Sequence, residues 1–253
     1  RVIEAMQHQA EFISYTYRTQ FENEPAHLLA TRLVENSAPH LNRVFYVSGG
    51  SEAVESCLKL ARQYFYVQGE GRNIFISRRP SYHGATMGAL SVTSYAPLKN
   101  PYLPMLRPQP KIPAPYCYRC YYGLTYPECE LRCADALEET IQTQGEMNVA
   151  GFLVEPVGGA SVGALPPPPG YFDRITDICD RYGLLLILDE VMTGFGRTGK
   201  LFAYEHWDLK GDIVALSKGM ASGYYPMGGM LSRSTIVDTI LQKGSFPHGH
   251  TYA

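Results

Sequence analysis

Three motifs place side chains that could do chemistry directly after short apolar runs. The first, Ser48-Gly49-Gly50-Ser51, joins a strand-like run to a helix-like segment with acidic residues in its first turn. Glycines let the backbone approach a ligand closely, and the free amides at a helix start bind anions. No Gly-Lys-Ser/Thr follows, which separates the motif from a nucleotide P-loop. The motif predicts an anion cradle, with an ordinary strand–helix turn as the alternative.

The second motif, Asp189-Glu190-Val191, follows five consecutive Leu and Ile residues at Leu184–Leu188. This pattern places Asp189 at the carboxyl end of a buried strand, the edge at which open α/β sheets bind ligands. A buried carboxylate needs a cationic partner, because leaving it unpaired is costly. A protonated pyridine nitrogen would be such a partner. A structural aspartate that caps the following loop is the alternative.

The third motif, Ser217-Lys218-Gly219, follows the apolar run Ile213–Leu216. A lysine at a strand end among small residues can lose its proton when it is partly desolvated, which makes it a nucleophile toward carbonyl groups. The alternative is a surface lysine whose stem covers apolar atoms. The apolar lead-in and the adjacent glycine favour the nucleophile.

The order of the motifs is more informative than any one of them. An anion cradle, a carboxylate and a lysine each follow their own strand, and Lys218 comes 29 positions after Asp189. Phosphate, ring nitrogen and aldehyde are the three groups by which pyridoxal 5'-phosphate can be held. A dinucleotide site would leave Lys218 unexplained. The sequence therefore predicts a pyridoxal-phosphate site with Lys218 and Asp189 as its catalytic residues.

Elements that could position these residues alternate along the chain. Apolar runs separated by helix-like stretches are typical of an α/β fold with a mostly parallel sheet and helices on both faces. The predicted strands are Val44–Val47, Ile74–Ile76, Gly151–Val154, Leu184–Leu188, Ile213–Leu216 and Gly229–Leu231. The predicted helices are Ser51–Val67, Ala85–Val92, Cys133–Thr143, Tyr171–Tyr182 and Ser234–Gln242. Residues 1–40 are expected to form a helical lead-in, and residues 94–132 and 158–170 to be irregular.

From about Asn42 to its last residue, the chain resembles the class III aminotransferases, which are pyridoxal-phosphate enzymes of fold type I. The resemblance rests on the segments SGGSEA, SYHGAT, FLVEP, LILDEVMTGFGRTG, LSKGMASGYYPMGG and HGHTY, which occur in the family's order and spacing. It implies the large domain of that fold at residues 41–253, with the family's C-terminal small domain outside this sequence. Because both ends look cut, we expect the chain to be part of a longer one.

The resemblance also implies where the cofactor's phosphate and ring would lie. Gly50 and Ser51 would hold the phosphate. Tyr82 would stack on one face of the ring, and Val191 would pack on the other. These residues are predicted to form the walls of the cofactor site.

Four further residues take roles from the same resemblance. Asp189 would pair with the ring nitrogen, Glu155 would lie beside the ring on its O3′ side, and Lys218 would bind the aldehyde covalently. Thr251, in the GHTY motif, would contact the phosphate of the neighbouring subunit. The resemblance thus implies a homodimer with a shared active site.

The implied reaction is a ping-pong transamination from an amine or ω-amino acid to a keto acid such as pyruvate. Two departures bear on the substrate. Ala160 stands where ornithine- and 4-aminobutyrate-type members have a glutamate, which favours the ω-amine:pyruvate-like branch. Met192 stands where many members have a glutamine near O3′. The alternatives are an aminomutase, an amino-acid epimerase or a decarboxylase on the same apparatus, or an inactive truncated chain.

Four cysteines, Cys117, Cys120, Cys129 and Cys133, form a CxxC and a CxxxC pair. Thiolates at this spacing could enclose a structural zinc ion. Free thiols in a tyrosine-rich loop are the first alternative. Two disulfides are the second, and a reducing cytosol disfavours them. The sequence leaves the choice open.

His83, after the predicted stacking tyrosine, could contact the cofactor region or fix the turn, and we expect it to fix the turn. Arg197, in the glycine-rich loop after Asp189, is likewise expected to hold its loop rather than a substrate carboxylate.

Composition excludes several classes of protein. The 253 residues are 45% hydrophobic and 18% charged, with a formal net charge of −2, so no basic tract suggests a nucleic-acid partner. The longest apolar stretch, Tyr182–Leu188, is far shorter than the roughly 20 residues of a membrane span. The first residues lack the layout of a signal peptide. We expect a cytoplasmic protein whose partners are small molecules and a second copy of itself.

Overall fold

The computed structural model describes residues 1–17 and 20–251 and contains one seven-stranded sheet. Its strands are β1 Leu41–Val47, β2 Ile74–Arg79, β3 Lys111–Pro113, β4 Val149–Val154, β5 Leu185–Asp189, β6 Ile213–Leu216 and β7 Gly228–Arg233. They lie in the order β1-β7-β6-β5-β4-β2-β3. Residues 18 and 19 of the predicted lead-in, and Tyr252 and Ala253 at the end of the predicted large domain, lie outside the described residues.

The direction of the strands decides where loop residues meet. The neighbours β3, β2, β4, β5 and β6 pair in parallel, whereas β7 is antiparallel to both β6 and β1. Six strands therefore run in one direction, and their carboxyl ends share one edge of the sheet. The predicted mostly parallel α/β fold is confirmed.

The helices follow the strands in the order expected of such a fold. They are α1 Val2–Phe12, α2 Glu24–Glu35, α3 Gly50–Val67, α4 Met87–Val92, α5 Ala96–Lys99, α6 Arg132–Gln144, α7 Tyr171–Tyr182 and α8 Ser234–Leu241. No helix among the described residues combines the length and the apolar content that crossing a membrane requires.

Two apolar cores lie on opposite faces of the sheet. One contains side chains of α3 and α8, such as Val54, Leu60 and Ile236. The other contains side chains of α6 and α7, such as Leu137 and Ile175. Strands β4, β5 and β6 are buried at every position because both of their faces are covered. The charged groups that follow these strands are therefore held by a rigid support.

The predicted irregular segment at residues 94–132 contains elements that the sequence did not reveal. Strand β3 has only three residues and ends in proline, so it carries no periodic signal.

Helix α4 begins at Met87 and not at the predicted Ala85, because the amide of Ala85 donates to the Ser51 hydroxyl at 3.0 Å. The segment that precedes α4 is thus tied to α3.

Two lysines near β3 share one acceptor. Lys99 Nζ donates to the carbonyl oxygens of Ser91 (2.9 Å) and Thr93 (2.7 Å), and Lys111 Nζ donates to that of Ser91 (3.2 Å) and of Gln109 (3.3 Å). Burial, together with the charge of Lys99, lowers the pKa of Lys111 to about 7. Burial also lowers the pKa of Lys99.

We predict that Lys111 makes the stability of the fold depend on pH. An unfolded lysine has a pKa of about 10.4. Between pH 7 and pH ~10 the unfolded chain therefore keeps a proton that the folded chain has released. The free energy of unfolding should rise with pH in this window, by up to about 1.4 kcal/mol per pH unit. Lys111→Met should flatten that rise in urea titrations, whereas Lys210→Met, at an exposed lysine, should not. Parallel curves for wild type and Lys111→Met would contradict the assignment.

Candidate functional site

The predicted site residues follow strands that end at the same edge of the sheet. Gly50 lies after β1, Tyr82 after β2 and Glu155 directly after β4. Asp189 is the last residue of β5, and Lys218 lies two residues after β6. Because these five strands run in the same direction, the sheet gathers their loops at one ligand-binding edge.

Asp189 is a buried carboxylate whose two oxygens both accept hydrogen bonds. The side chain of His83 lies with Nδ1 2.8 Å from Asp189 Oδ2, and the amide of Val191 donates to Oδ1 at 3.1 Å. Asp189 is only 4% exposed, and the His83 side chain is fully buried. Within the described ranges, no lysine or arginine forms an ion pair with Asp189. The described residues therefore supply hydrogen-bond donors to this carboxylate but no lysine or arginine as an ion-pair partner.

The start of α3 has the properties of an anion cradle. Its cap, Gly49, offers no side chain to the first amides of the helix, and a Cβ built on Gly49 would meet no atom within 4 Å. A Cβ on Gly50 would lie 2.7 Å from Val191 Cγ1, so this position has room only for glycine. Open space beside free amides at the positive end of an 18-residue helix suits a phosphate group.

Lys218 lies next to this cradle in an uncommon backbone conformation. Its φ is +36°, in the left-handed region that non-glycine residues rarely adopt. A Cβ on Gly50 would come within 3.5 Å of Ser217 Cβ, which places the residue before Lys218 beside the cradle. The Lys218 side chain is exposed, and it has no hydrogen-bond or salt-bridge partner within residues 1–17 and 20–251. Its amine is available to a ligand.

Glu155 is the second buried acid at this edge. Its Oε1 accepts from the amide of Gly159 at 3.2 Å, and its Oε2 has no partner among the described residues. Burial raises the pKa of Glu155 and the charge of Asp189 adds to the rise, while His83 and Arg78 oppose it. The unpartnered oxygen is a candidate contact for a bound molecule.

The side chain that packs on the loop after Glu155 is the thioether of Met192. A Cβ on Gly159 would lie 2.5 Å from Met192 Sδ, so Met192 packs directly on this loop. The loop next to Glu155 therefore carries an apolar thioether at Met192.

Two predicted residues are not joined to this cluster by the contacts described above. Tyr82 is half-buried on the loop that carries His83. Thr251 is exposed, and the residues before it pack on α3 of the same chain: His248 Nε2 lies 2.8 Å from Ser56 Oγ, and His250 Nδ1 lies 3.6 Å from Glu52 Oε1. The roles of Tyr82 and Thr251 stay predictions.

The four cysteines lie in a cleft whose lining includes none of the predicted cofactor-binding residues. Cys117, Cys120, Cys129 and Cys133 are free thiols that line one narrow cleft. Burial raises the pKa of Cys133 to about 12. In the part of the chain that the structure describes, no group of three or more His, Cys, Asp or Glu side chains is arranged to hold a metal ion. The zinc site stays a prediction without structural support.

Sequence reasoning missed Glu55, which connects two of the site's elements. One oxygen of its carboxylate, Oε1, accepts from Thr86 Oγ1 (2.7 Å) and from the amides of Gly88 (2.8 Å) and Ala89 (3.2 Å) at the start of α4. Its spacing of four residues from Ser51 was a usable signal, because residues i and i+4 share one face of a helix. The contact of His83 with Asp189 was also missed, since nothing local in the sequence indicates it.

Comparison with known proteins bears on both fold and function. The family model described as "Aminotransferase class-III" matches residues 1–253. The chain is 39% identical, over its whole length, to the uncharacterized aminotransferase YodT of Bacillus subtilis strain 168, and the match spans 57% of that protein. The chain thus covers little more than half the length of this relative.

Solved structures give the same result. An (S)-enantioselective omega-transaminase from Thermomicrobium roseum matches 99% of the chain with a TM-score of 0.91 and 40% identity, over 56% of its own chain. An amine transaminase from an uncultivated Pseudomonas species, solved in its PLP-bound form, matches 99% of the chain with a TM-score of 0.94 and 37% identity, over 58% of its chain. The predicted fold type I architecture is confirmed.

Gly84 provides a test of how closely the cradle and the His83 loop must approach each other. Its φ is +130°, and an added Cβ would lie 2.6 Å from Ser51 Oγ and 2.9 Å from Ser51 Cα. We predict that Gly84→Ala lowers the free energy of unfolding by about 1–3 kcal/mol, because the clash forces the loop away from α3. Urea denaturation measures this loss. Gly71→Ala is the matched control, since a Cβ there meets no atom within 4 Å; equal losses for the two variants would contradict the prediction.

Proposed function

Because the chain belongs to the class III aminotransferase family, we propose that it forms the cofactor-binding part of a pyridoxal-phosphate-dependent aminotransferase. The reaction would move an amino group from an amine or ω-amino acid to a keto acid such as pyruvate. The observation that carries the proposal is the meeting of an open anion cradle, a buried acceptor carboxylate and an unpaired lysine at one sheet edge.

The residues at this edge fit pyridoxal phosphate group by group. The amides of Gly50 and Ser51 at the start of α3 would bind the phosphate, helped by the helix dipole. Val191 would support one face of the ring, and Tyr82 would cover the other. The orphan oxygen of Glu155 would face the ring substituents on the O3′ side. When bound, the cofactor supplies an aldehyde that condenses with amines and a ring that withdraws electrons.

Asp189 would hold the proton of the ring nitrogen. Its carboxylate is desolvated, so its attraction for a cationic N–H is stronger than it would be in water. Keeping that nitrogen protonated stabilises the negative charge that develops at the substrate carbon.

Lys218 would first bind the cofactor covalently and then act as the general base. As the base, Lys218 Nζ would take up the proton of the substrate carbon, hold it and return it. Lys218 has a left-handed backbone conformation. Such strain is commonly found at functional positions.

The proposed substrate class rests on Ala160. This residue is exposed on the loop after Glu155, and its methyl group cannot pair with an arginine as a glutamate would. We therefore favour substrates of the ω-amine:pyruvate type.

We also propose that the whole protein is a cytoplasmic homodimer with a shared active site. Helix α1 buries no side chain against the described residues, and Ile3, Met6 and Phe12 on it are exposed. A second subunit that covers this helix would remove that apolar surface from water. In such a dimer, Thr251 would reach the phosphate bound by the partner.

Aminomutases, epimerases and decarboxylases would use the same residues, so the reaction itself must be tested. We predict that the full-length protein, given pyridoxal phosphate and an amine donor but no keto acid, releases about one equivalent of carbonyl product per site. Addition of pyruvate should then allow continuous turnover. A single-turnover assay with chromatographic detection of the product measures this. Cofactor uptake without carbonyl release from any amine or ω-amino acid donor would point to one of the other reactions.

Lys218→Ala should abolish covalent attachment of the cofactor and lower turnover by about 10³-fold or more, because the base is lost. Borohydride reduction followed by peptide mapping measures the attachment, and the labelled peptide should contain Lys218. Lys210→Ala, which removes an exposed lysine outside the site, should behave as wild type. A label on any lysine other than Lys218 would refute the assignment.

A further inference from the structure

His83 lies beside Asp189, and the proposed chemistry has not yet used it. Its Nδ1 lies 2.8 Å from Asp189 Oδ2, and its side chain is fully buried. Its other ring nitrogen, Nε2, has no hydrogen-bond partner among the residues described. His83 is also electrostatically coupled to Glu155.

These contacts assign the tautomer of His83. An ionised Asp189 can only accept, so Nδ1 must carry the hydrogen that joins the two side chains. A second proton on Nε2 would be a buried donor without an acceptor, which is costly. The hydrogen-bond network therefore assigns a neutral imidazole with its proton on Nδ1.

The backbone around His83 is held from two sides, which fixes the place of the imidazole. The amide of His83 donates to the Thr93 hydroxyl at 2.9 Å, and that hydroxyl lies 2.9 Å from the carbonyl of Ala89 in α4. Ser81 and Ser94 exchange two backbone hydrogen bonds of 3.1 and 2.9 Å. The segment that carries His83 is therefore braced against the C-terminal end of α4 and the residue that follows its cap.

We propose that His83 is the positioning residue that makes Asp189 an effective partner for the cofactor's ring nitrogen, an inference that rests on the proposed function. Nδ1–H of His83 holds Oδ2, while the amide of Val191 holds Oδ1. The two donors together fix the plane of the carboxylate. The carboxylate is thus correctly oriented before any ligand arrives.

The neutrality of the donor is the important property. A lysine or arginine in the place of His83 would cancel the charge of Asp189 and weaken its attraction for the ring N–H. A neutral N–H donor stabilises the carboxylate and leaves its charge available. The other charged or titratable groups near this pair are Glu155, Glu190, Arg78 and Cys57. Arg78 donates to the backbone carbonyl of Glu155 and forms no ion pair with Asp189 within the described ranges.

The experiment uses the full-length enzyme loaded with pyridoxal phosphate that carries ¹⁵N in its ring. The ¹⁵N chemical shift reports directly whether the ring nitrogen is protonated. His83→Asn keeps a neutral donor near the position of Nδ1, whereas His83→Leu removes the donor. His40→Asn is the matched control, because His40 is a partly buried histidine that bonds to the carbonyl of Gly211 at 2.9 Å, away from Asp189.

We expect the ring nitrogen to stay protonated at pH 8 in wild type, His83→Asn and His40→Asn, and to lose its proton in His83→Leu. The turnover number of His83→Leu should fall about 10- to 100-fold, the effect of losing a hydrogen bond to a charged group. The KM should change far less, because the His83 side chain is fully buried and offers no surface to a substrate. An unchanged ¹⁵N shift in His83→Leu overturns the inference. Loss of the ring proton in His83→Asn also overturns it, and this second test stands even if the leucine variant does not fold.

The outcomes separate this inference from the proposed function. If the wild-type protein takes up no cofactor or releases no carbonyl product, the proposed function fails. If the wild-type protein transaminates and the His83 variants keep a protonated ring nitrogen throughout, only the role of His83 fails.

Discussion

The structure depends on one constraint: a negative charge has to be kept at the end of a strand from which water is excluded. Strand β5 is buried along its whole length between β4 and β6, and Asp189 is its last residue. A carboxylate in that position destabilises the fold unless hydrogen-bond donors surround it. The chain supplies two donors, from His83 and from the amide of Val191, and neither of them carries a positive charge in our assignment. The remaining charge is what a cationic ring nitrogen would bind.

The loops around this charge are fixed relative to one another by direct contacts. Gly50 touches Val191, so the anion cradle and the support for the ring are adjacent. The carboxylate of Glu55 reaches from α3 to the start of α4, and Gly84 lies against Ser51. A displacement of α3 would therefore be transmitted to the loop that holds His83. Sites in which several groups must act on one ligand need this kind of mutual support.

The sequence predicts those parts of the molecule whose signals are local. Strands β4, β5 and β6 were located to within two residues at each end because a strand buried on both faces is a continuous apolar run. Helix α7 was predicted with its observed bounds because Gly170 and Gly183 flank it. The candidate lysine and aspartate were found for the same reason, since each directly follows such a run. Strand β3 was missed because three residues ending in proline carry no pattern. The pairing of His83 with Asp189 joins residues 106 positions apart, and no local pattern encodes a contact of that kind.

The backbone conformation of Lys218 shows that lysine is not the residue that would give this position the highest stability. A left-handed conformation costs a lysine on the order of 1 kcal/mol that a glycine would not lose. Selection for thermal stability alone would therefore favour glycine at this position, and the reactive amine would be lost. Attempts to engineer a more heat-resistant form should hold this residue constant and seek their gains in segments far from the sheet edge.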